Sequence, residues 1–556
     1  MLRFRIRISD PARVFIHKEK EMSDIRFARV FGDGAVLQKD KEIRVWGWSA
    51  PGAKVKVSLA GSSVECTADD SGRFDALFPA MGAGGPYTLT ATDESGNTVK
   101  SCDIMIGDVI VICGQSNMEF PMARVRETYP HEWDSPGDDL IRTFKVTENG
   151  LFGKSIQDVE TGQWKNFAAD TIDEYSAVGY FTAKHLRLKE DVAVGIVDLT
   201  LGGAPIEAFM SEESLEGFDA ALAEAEKFSD DTYRKKILSD NETNANEWKE
   251  ALDKNDAGIG KYEDGKEILE NGREVVFPAF FSDTELAGYT GSVWIARTFS
   301  VPDEYAKKSA TLWFGTLVDF DSCYINGTFV GMTEYTYPPR RYPIPEGLIG
   351  PGDNTIVLRV GIEKGFGRIT PGKIYGIVYG DDITRVTDGF NERLEGAQYI
   401  EYLGGVWKYL AGNKCAPTKD TVFVNWKPTA LYNGMLAPLS GLAVKAFAYY
   451  QGESNCQNNH EYPELTKRFI KQLREMWGED LPYICVQLPE FDARMEEVSY
   501  DHGEAWRGLM AAQESCTGLP GFYLVRSYGT GELNDLHPQR KEPIGEKIAG
   551  AIASIR

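Results

Sequence analysis

The sequence predicts a mixed α/β protein, in which a parallel-sheet domain is interrupted by an inserted β domain and preceded by a small β-sandwich. Three observations support this prediction. Residues 25–105 alternate apolar and polar positions between turns, apolar strands and helical patterns then alternate, and a second β-rich stretch at 274–412 separates the second of those strands from the third. The 556 residues are too many for one core and suffice for roughly three or four domains.

The first domain is predicted over residues 25–105. VKVSL (55–59) and YTLTAT (87–92) alternate apolar and polar residues, which is the pattern of half-buried strands. The turn signals APGAK, DDSGR and DESGN separate such runs. A small β-sandwich fits this spacing.

The parallel-sheet domain is predicted from residue 106 onwards. Its apolar strands are DVIVICG, VAVGIVDLTLGG, VKAFAYYQG, PYICVQLP and GFYLVRS. PELTKRFIKQLREMW and EPIGEKIAGAIASI repeat apolar residues every four positions, as helices with one buried face do. Strands that alternate with helices predict a parallel sheet covered by helices on both faces.

An insertion separates the second and third of these strands. Residues 211–270 are polar and helical, whereas 274–412 are β-rich, with asparagine, glycine and aromatic residues at intervals typical of a jelly roll. The predicted division is a tail at 1–24, a β-sandwich at 25–105, the two parts of the α/β domain at 106–273 and 413–556, and the inserted jelly roll at 274–412.

Composition and charge limit the partners and the compartment. The net charge of −24 repels nucleic acid and anionic lipid, so neither is an expected partner. In the tail, Arg3, Arg5 and Arg7 interrupt every apolar run, and no stretch reaches the length of a membrane span, so we expect neither a signal peptide nor a membrane anchor. The eight cysteines are scattered singly, as reduced thiols of a cytoplasmic protein would be.

Ser116 is the first candidate for chemistry. CGQSNMEF follows the strand DVIVI, so the serine lies at the carboxyl edge of the predicted sheet. Open α/β sheets place their sites at this edge. Ser116 is either a nucleophile there or the N-cap of a helix, and the local pattern leaves both open.

A hydrolytic serine needs a base, and His537 is the best placed of six histidines. It follows the last predicted strand, and Asp535 lies two residues before it. Asp535 could bind one ring nitrogen and leave the other facing Ser116. The alternative is a loop histidine beside an Asx-turn.

Acyl transfer also requires donors for the developing oxyanion. The candidates are the backbone N–H of Ser116, a glycine N–H at Gly202 (with Gly203 as second choice), and the side-chain amide of Gln451 or Asn455. All follow predicted strands, and glycine lets the backbone approach a substrate closely. Ordinary turn chemistry is the alternative explanation for each motif alone.

Other kinds of site find little support. Nucleotide-binding glycine motifs, HExxH and clustered Cys/His spacings are absent, so neither a metal nor an organic cofactor is expected. GxSxG is also missing. Glu453 and Asp198 could form the paired carboxylates of a glycosidase, but that hypothesis leaves Ser116 and His537 unexplained.

Five blocks together resemble a known family: GQSNMEFP, GIVDLTLGGAPIEAFM, PTALYNGMLAPL, YYQGESN and DLHPQRKEPIGEKIA. The chain resembles sialate O-acetylesterases of the SGNH hydrolase superfamily over nearly its whole length. The resemblance implies a flavodoxin-like SGNH domain, an immunoglobulin-like β-sandwich before it and a galactose-binding-like jelly roll within it. It implies a cofactor-free carbohydrate esterase that removes O-acetyl groups.

The resemblance also assigns roles. It implies Ser116 as nucleophile, His537 as base and Asp535 as its acid, with Gly202 and Gln451 as oxyanion donors beside the Ser116 N–H. Two departures stand out. The superfamily usually spaces acid and base as DxxH, whereas here Asn534 occupies the acid's usual position. Either Asp535 reaches the imidazole by a different turn, or the site works largely as a Ser–His dyad. Gly-Glu-Ser-Asn at 452–455 replaces the usual GxND block, which leaves the third oxyanion donor open between Gln451 and Asn455.

The sequence leaves the substrate open among acetylated mono- and oligosaccharides. A sialic acid carries a carboxylate that Arg340 and Arg341 could bind bidentately, although both also fit ordinary loop positions. Acetylated oligosaccharides of plant hemicellulose fit equally well, because the many aromatic residues offer stacking faces. The alternative of another class is a non-catalytic carbohydrate-binding protein.

Overall fold

The computed structural model describes residues 25–389, 391–478, 480–491 and 503–555, which form a mixed α/β protein with several sheets. The predicted tail at 1–24 lies outside the described residues, as do His17 and His502. Within the described part of the chain, no helix combines the length and apolar character that crossing a membrane requires.

The N-terminal region is all-β, as predicted. In the run VKVSL every second residue is buried, which places one face of the strand in the core. The strands are β1 Arg26–Phe27, β2 Val36–Gln38, β3 Ile43–Trp48, β4 Lys54–Leu59, β5 Ser62–Thr67, β6 Arg73–Phe78, β7 Gly84–Asp93 and β8 Thr98–Gly114. β1, β3 and β6 form one sheet. In the other, β4 pairs with β5 and with β7, and β7 pairs with the first half of β8.

Strand β8 is continuous between the N-terminal region and the central sheet. Its first half pairs antiparallel with β7, from Thr98 to Ile106. Its second half, from Asp108 to Gly114, pairs in parallel with β11 Val194–Thr200. The boundary predicted between residues 105 and 106 therefore falls inside one strand, and the proposed division into domains stays a prediction.

Further elements lie between β8 and the insertion. They are α1 Ser116–Glu119, β9 Asp138–Lys145, β10 Trp164–Phe167, α2 Ala177–Glu190, α3 Asp219–Ser229, α4 Asp231–Lys254 and α5 Lys266–Asn271. β9 pairs in parallel with β11, and β10 pairs antiparallel with β9. The sequence predicted neither β9 nor β10, but it did predict the polar helical stretch that contains α3 and α4.

The β-rich insertion consists of strands between residues 273 and 414. They are β12 Arg273–Phe277, β13 Ala279–Phe280, β14 Gly291–Phe299, β15 Ala310–Phe314, β16 Leu317–Val318, β17 Phe320–Ile325, β18 Thr328–Thr333, β19 Arg340–Ile344, β20 Asn354–Ile362, β21 Arg368–Ile369, β22 Tyr375–Tyr379, β23 Thr384–Thr387, β24 Glu392–Glu395, β25 Tyr399–Tyr402 and β26 Gly405–Lys414. A six-stranded and a four-stranded sheet share one core, to which Val293 and Leu358 of the first and Leu312 and Ile377 of the second contribute. The jelly-roll topology of these strands stays a prediction.

The chain then completes the central sheet. The remaining elements are β27 Ala446–Tyr450, α6 Tyr462–Trp477, β28 Tyr483–Val486, α7 Glu504–Ser515, β29 Phe522–Val525 and α8 Glu542–Ser554. The five predicted strands lie in parallel in the order β11-β8-β27-β28-β29. Numbered along the chain, these five strands read 2-1-3-4-5, the order of flavodoxin-like sheets, and β9 adds a further parallel strand beside β11. Because the order reverses at β8, right-handed crossovers place helices on both faces.

The reversal brings the ends of three strands together. Gly114 at the end of β8 pairs with Thr200 on one side and with Tyr450 on the other. Gly114 has a φ of 131°, and a Cβ there would lie 2.2 Å from the Tyr450 carbonyl oxygen, so this close approach requires glycine. The turns that follow these three strands therefore meet at one edge of the sheet.

Candidate active site

Ser116 and His537 meet at this edge, although 421 positions separate them in the sequence. Ser116 is the first residue of α1, directly after β8, and His537 lies in the loop between β29 and α8. The distance from His537 Nε2 to Ser116 Oγ is 2.7 Å, which is a hydrogen bond. Gln115, and not Ser116, occupies the N-cap of α1, so the structure does not bear out the alternative of a capping serine.

The imidazole of His537 lies between two aromatic rings and is 8% exposed. Phe120 stacks parallel to it at 5.8 Å between centroids, and Tyr337 of the insertion packs edge-on at 4.8 Å. Burial, followed by the positive charges of Lys541 and Arg124, lowers the pKa of His537 to about 3. The ring is therefore neutral near pH 7, with a nitrogen free to accept the serine proton.

Asp535 does not contact the imidazole. Its Oδ1 accepts a hydrogen bond of 2.9 Å from the backbone N–H of His537, and its Oδ2 accepts one of 2.8 Å from Lys373 Nζ. Within the described residues, neither Asp535 nor another side chain hydrogen-bonds the second ring nitrogen of His537. The predicted contact between acid and base is thus not formed, because an Asx-turn and a lysine of the insertion engage the carboxylate. The side-chain amide of Asn534, at the acid's usual position in the family, donates to the Pro371 carbonyl oxygen at 2.9 Å.

Five charged side chains tie the His537 loop to the insertion. Lys373 lies 3.3 Å from Glu532 and 3.4 Å from Glu392, while Arg385 lies 2.6 Å from Glu392 and also pairs with Glu532. Burial opposes ionisation of Glu532 and Glu392, but the two cations hold the pKa of both below the usual range. The network includes Asp535, so the loop that carries His537 is held by charges from the insertion.

Asn117, the residue after Ser116, joins the serine turn to the histidine loop. Its Nδ2 donates to Glu453 Oε1 at 2.7 Å and to the Leu536 carbonyl oxygen at 3.0 Å. Its Oδ1 accepts a hydrogen bond of 2.5 Å from Lys541 Nζ. Burial raises the pKa of Glu453, whose Oε2 is buried without a partner, and lowers the pKa of Lys541 to about 7. This side chain therefore fixes both halves of the Ser116–His537 pair.

The predicted oxyanion donors are largely occupied. The N–H of Gly202 donates to Glu119 Oε2 at 2.6 Å. Gln451 is fully buried, and its Nε2 donates to Gln115 Oε1 at 3.1 Å and to Asn455 Oδ1 at 2.7 Å. Gln451 therefore has no amide hydrogen left for a substrate, because its side chain links the turns behind the site.

The other candidates differ in their availability. Asn455 Nδ2 donates to Glu207 at 2.9 Å, while the backbone N–H of Gly203 makes no hydrogen bond within the described residues. The N–H of Ser116 belongs to the first turn of α1, where backbone donors have no partner within the helix. Ser116 thus supplies the donor that the helix geometry leaves available.

The remaining sequence candidates are engaged elsewhere. Asp198 accepts from the backbone N–H of Thr200 at 2.9 Å and pairs with Lys145, so it does not form a carboxylate pair with Glu453. Arg340 is fully buried against Asp321 at 2.6 Å, and Arg341 binds Glu127 at 2.6 Å. The expected arginine pair is therefore not available to a substrate carboxylate.

Sequence reasoning missed Asn117, Glu119, Lys373 and Lys541. Asn117 and Lys541 lie in the same blocks as Ser116 and His537, so their chain positions were a usable signal. Nothing in the sequence connects Lys373 with Asp535, because their contact depends on how the insertion packs. Within the described part of the chain, no group of three or more His, Cys, Asp or Glu side chains is arranged to hold a metal ion.

Comparison with known proteins supports the predicted resemblance. Residues 414–553 match the family model of the carbohydrate esterases described as sialic acid-specific acetylesterases. The sialate O-acetylesterase of Homo sapiens is 28% identical over 209 residues, which cover 34% of this chain and 39% of that protein. The enzyme of Mus musculus is 26% identical over 208 residues, covering 34% and 38%. The resemblance is confirmed, and the matched part spans well under two thirds of these relatives.

A solved structure extends the similarity over most of the chain. The crystal structure of a carbohydrate acetylesterase from Xanthomonas citri superimposes with a TM-score of 0.54, covering 94% of this chain and 74% of that one. The two sequences are 21% identical in this comparison. The similarity therefore establishes a shared fold.

Proposed function

From the match of residues 414–553 to sialic acid-specific acetylesterases, we propose that the protein is a carbohydrate O-acetylesterase with Ser116 as its nucleophile. The observation that supports it best is the hydrogen bond of 2.7 Å between Ser116 Oγ and His537 Nε2 at the carboxyl edge of the sheet. A hydroxyl held against a neutral imidazole is the arrangement from which acyl transfer begins.

The reaction proceeds through an acetyl-enzyme. His537 Nε2 removes the hydroxyl proton while Ser116 Oγ attacks the acetyl carbonyl carbon. The proton then passes from His537 to the sugar oxygen as the ester bond breaks, which releases the deacetylated sugar. His537 then deprotonates a water molecule that attacks the acetyl carbon, and the imidazolium returns the proton to Ser116 Oγ as acetate is released.

The proposed site works as a Ser–His pair, with Asp535 as a positioning residue. Phe120 and Tyr337 fix the plane of the imidazole, while the Asp535 carboxylate holds the backbone of His537. Asp535 therefore acts on the loop and not on the ring tautomer. This differs from the orienting acid that the family resemblance implies.

The Ser116 N–H is the first oxyanion donor in this proposal. The Gly202 N–H is the second, and it becomes available when the Glu119 carboxylate releases it. A substrate carbonyl that enters beside Ser116 competes with Glu119 for this donor. Gln451 has a structural role, because its amide hydrogens are used within the protein.

Hydrolysis of 4-nitrophenyl acetate tests this proposal without any assumption about the sugar. Ser116→Ala should remove nearly all turnover while the thermal unfolding curve stays that of the native protein. Ser63→Ala is the matched control, because Ser63 lies in β5 and its hydroxyl hydrogen-bonds that of Ser58. A serine-directed phosphonate should label the native protein and the control but not Ser116→Ala. Full activity in Ser116→Ala would rule out Ser116 as the nucleophile, whereas no acetate release by the native protein would favour a non-catalytic carbohydrate-binding protein.

A further inference from the structure

A cleft of about 670 Å³ opens next to the Ser116 site. Gly203 lines it, together with Pro205 after β11 and with Phe218 before α3. Ser116 itself does not line the cleft, but a Cβ on Gly202 would lie only 3.7 Å from the Ser116 Cβ. The cleft therefore begins at Gly203, the neighbour in the chain of a residue that lies beside Ser116. Its volume is in the range of ligand-binding pockets.

Trp426 in the wall of the cleft stacks on a second aromatic ring that lies just outside the cleft. Trp426 packs against Gly203, where an added Cβ would lie 2.0 Å from the indole. Phe423 stacks on Trp426 with 3.8 Å between ring centroids and is 48% exposed. A second depression of about 480 Å³ continues past Trp426 towards Lys364. The cleft and the depression share Trp426 and Lys427 in their linings, so together they form a longer groove with aromatic rings in its wall.

The charge of the cleft is negative. Four carboxylates are among its described lining residues, together with one lysine: Glu207, Asp219, Glu224, Glu461 and Lys427. Lys427 already binds Glu224 at 2.8 Å. Burial, with Glu461 and Glu224 nearby, raises the pKa of Glu207. Carboxylates accept hydrogen bonds from sugar hydroxyls but repel an anionic ligand.

We propose that this cleft binds the neutral sugar residues of an acetylated oligosaccharide, whose ester extends past Gly203 to Ser116. The inference rests on the proposed esterase function and specifies its substrate class. The sugar rings stack on Trp426 and Phe423, and their hydroxyls donate to the carboxylates. A sialic acid would bring its own carboxylate into this negative field.

Arg124 is the cation that a carboxylate-bearing sugar would use instead. Its guanidinium lies 5.4 Å above the Phe120 ring and has no ion pair within the described residues. It does not line the cleft but lies on the side of the insertion, close enough to His537 to lower its pKa. The experiment must therefore separate a neutral ligand in the cleft from an anionic one at Arg124.

Three substrates distinguish these possibilities: acetylated xylo-oligosaccharide, 9-O-acetyl-N-acetylneuraminic acid and 4-nitrophenyl acetate. For the native protein, kcat/KM should be at least roughly 10-fold higher for the xylo-oligosaccharide than for the sialic acid, because like charges disfavour the latter. In Trp426→Ala, the ratio of kcat/KM for the xylo-oligosaccharide to that for 4-nitrophenyl acetate should fall roughly 10-fold as stacking is lost. Phe423→Ala, at an exposed position, should lower the same ratio in a fold that the change does not disturb.

Glu224→Gln tests the effect of charge, because it removes one carboxylate from the cleft and leaves the Lys427 ammonium without its ion-pair partner. This variant should raise the ratio of sialic acid to xylo-oligosaccharide turnover several-fold. The inference is overturned if the native protein prefers the sialic acid and Arg124→Met abolishes that preference. It is equally overturned if neither aromatic variant changes the substrate ratio.

Measurements of oligosaccharide binding distinguish a failure of this inference from a failure of the esterase proposal. Calorimetric titration of Ser116→Ala with xylotetraose should show binding, which Phe423→Ala in the same background weakens, whereas N-acetylneuraminic acid should not bind. An esterase that releases acetate but does not bind xylotetraose disproves the cleft assignment alone. Xylotetraose binding without acetate release from any ester disproves the catalytic proposal and keeps the cleft.

Discussion

Lys373 Nζ of the insertion lies 2.8 Å from Asp535 Oδ2, two residues before His537 in the chain. The carboxylate that the sequence assigns to the imidazole thus binds an ammonium from a different part of the protein. Because Glu532 and Arg385 belong to the same buried network, the insertion holds the loop that carries the base. The position of the base therefore depends on the packing of the insertion.

Lys373→Met should destabilise the protein by about 3 kcal/mol, because removing one partner of a buried ion network leaves charge without compensation. Arg385 would then be left to compensate Glu532 and Glu392, and Asp535 would lose the ammonium that it binds. Lys373→Arg is the matched control and should retain most of the stability, since it preserves the charge. Urea unfolding of the three proteins measures the difference. Equal unfolding midpoints for Lys373→Met and the native protein would contradict the importance of this network.

Asp535→Asn should reduce kcat for 4-nitrophenyl acetate by less than roughly 10-fold. In a serine-protease triad, where the acid binds the ring, the same change costs about 10⁴-fold in kcat. The difference is expected because Asp535 contacts the backbone N–H and not the imidazole. Asn534→Ala, at the neighbouring position, is the control for changes in the loop. A loss of 10³-fold or more with an intact fold would mean that Asp535 reaches the ring during catalysis.

The central sheet and the Ser116–His537 contact could be predicted because both follow from local patterns. Apolar strands and helical repeats specify a parallel sheet, and the carboxyl ends of such strands lie at one edge. Ser116 and His537 each follow a predicted strand, so the order of the strands in the sheet is enough to bring them close together.

The surroundings of the pair could not be predicted, because they depend on contacts that chain position does not encode. The hydrogen bond from the Gly202 N–H to Glu119 depends on the rotamer of the glutamate side chain. The hydrogen bonds of the Gln451 amide depend on how three turns pack against each other. The continuity of β8 was hidden because Gly107 and Asp108 interrupt its apolar pattern. The aromatic pair at Trp426 lies in a loop without strand or helix periodicity.

The pH dependence of kcat/KM should lack an acid limb near the ordinary histidine pKa of about 6.5. Burial, then Lys541 and Arg124, lowers the pKa of His537 to about 3, so the active neutral form persists as the pH falls. The rate at pH 5 should therefore stay within a few-fold of that at pH 7.5, with the change in charge of Lys541 near pH 7 as the remaining titration, whereas an unperturbed histidine would lose activity roughly 30-fold. Initial rates on 4-nitrophenyl acetate across this range provide the measurement.

Lys541→Met is the matched variant for this profile. Removing the cation makes protonation of His537 easier, so the acid limb should move to higher pH, towards 6.5. The position of the limb is the readout, since the variant also loses the hydrogen bond to Asn117 and so has a lower maximal rate. An unchanged limb position would show that Lys541 does not influence the charge of the base.

Asn117→Asp should lower kcat by roughly 100-fold, because it replaces a donor by a negative oxygen at a buried position. The native Nδ2 donates to Glu453 and to the Leu536 carbonyl, so the new carboxylate would face two acceptors and repel both. This separates the serine turn from the histidine loop and lengthens the 2.7 Å contact on which proton transfer depends. KM should change much less than kcat, since the Asn117 side chain is fully buried. Combining Asn117→Asp with Glu453→Gln removes one of the two repulsions and should restore part of kcat, an outcome that a general loss of folding would not produce.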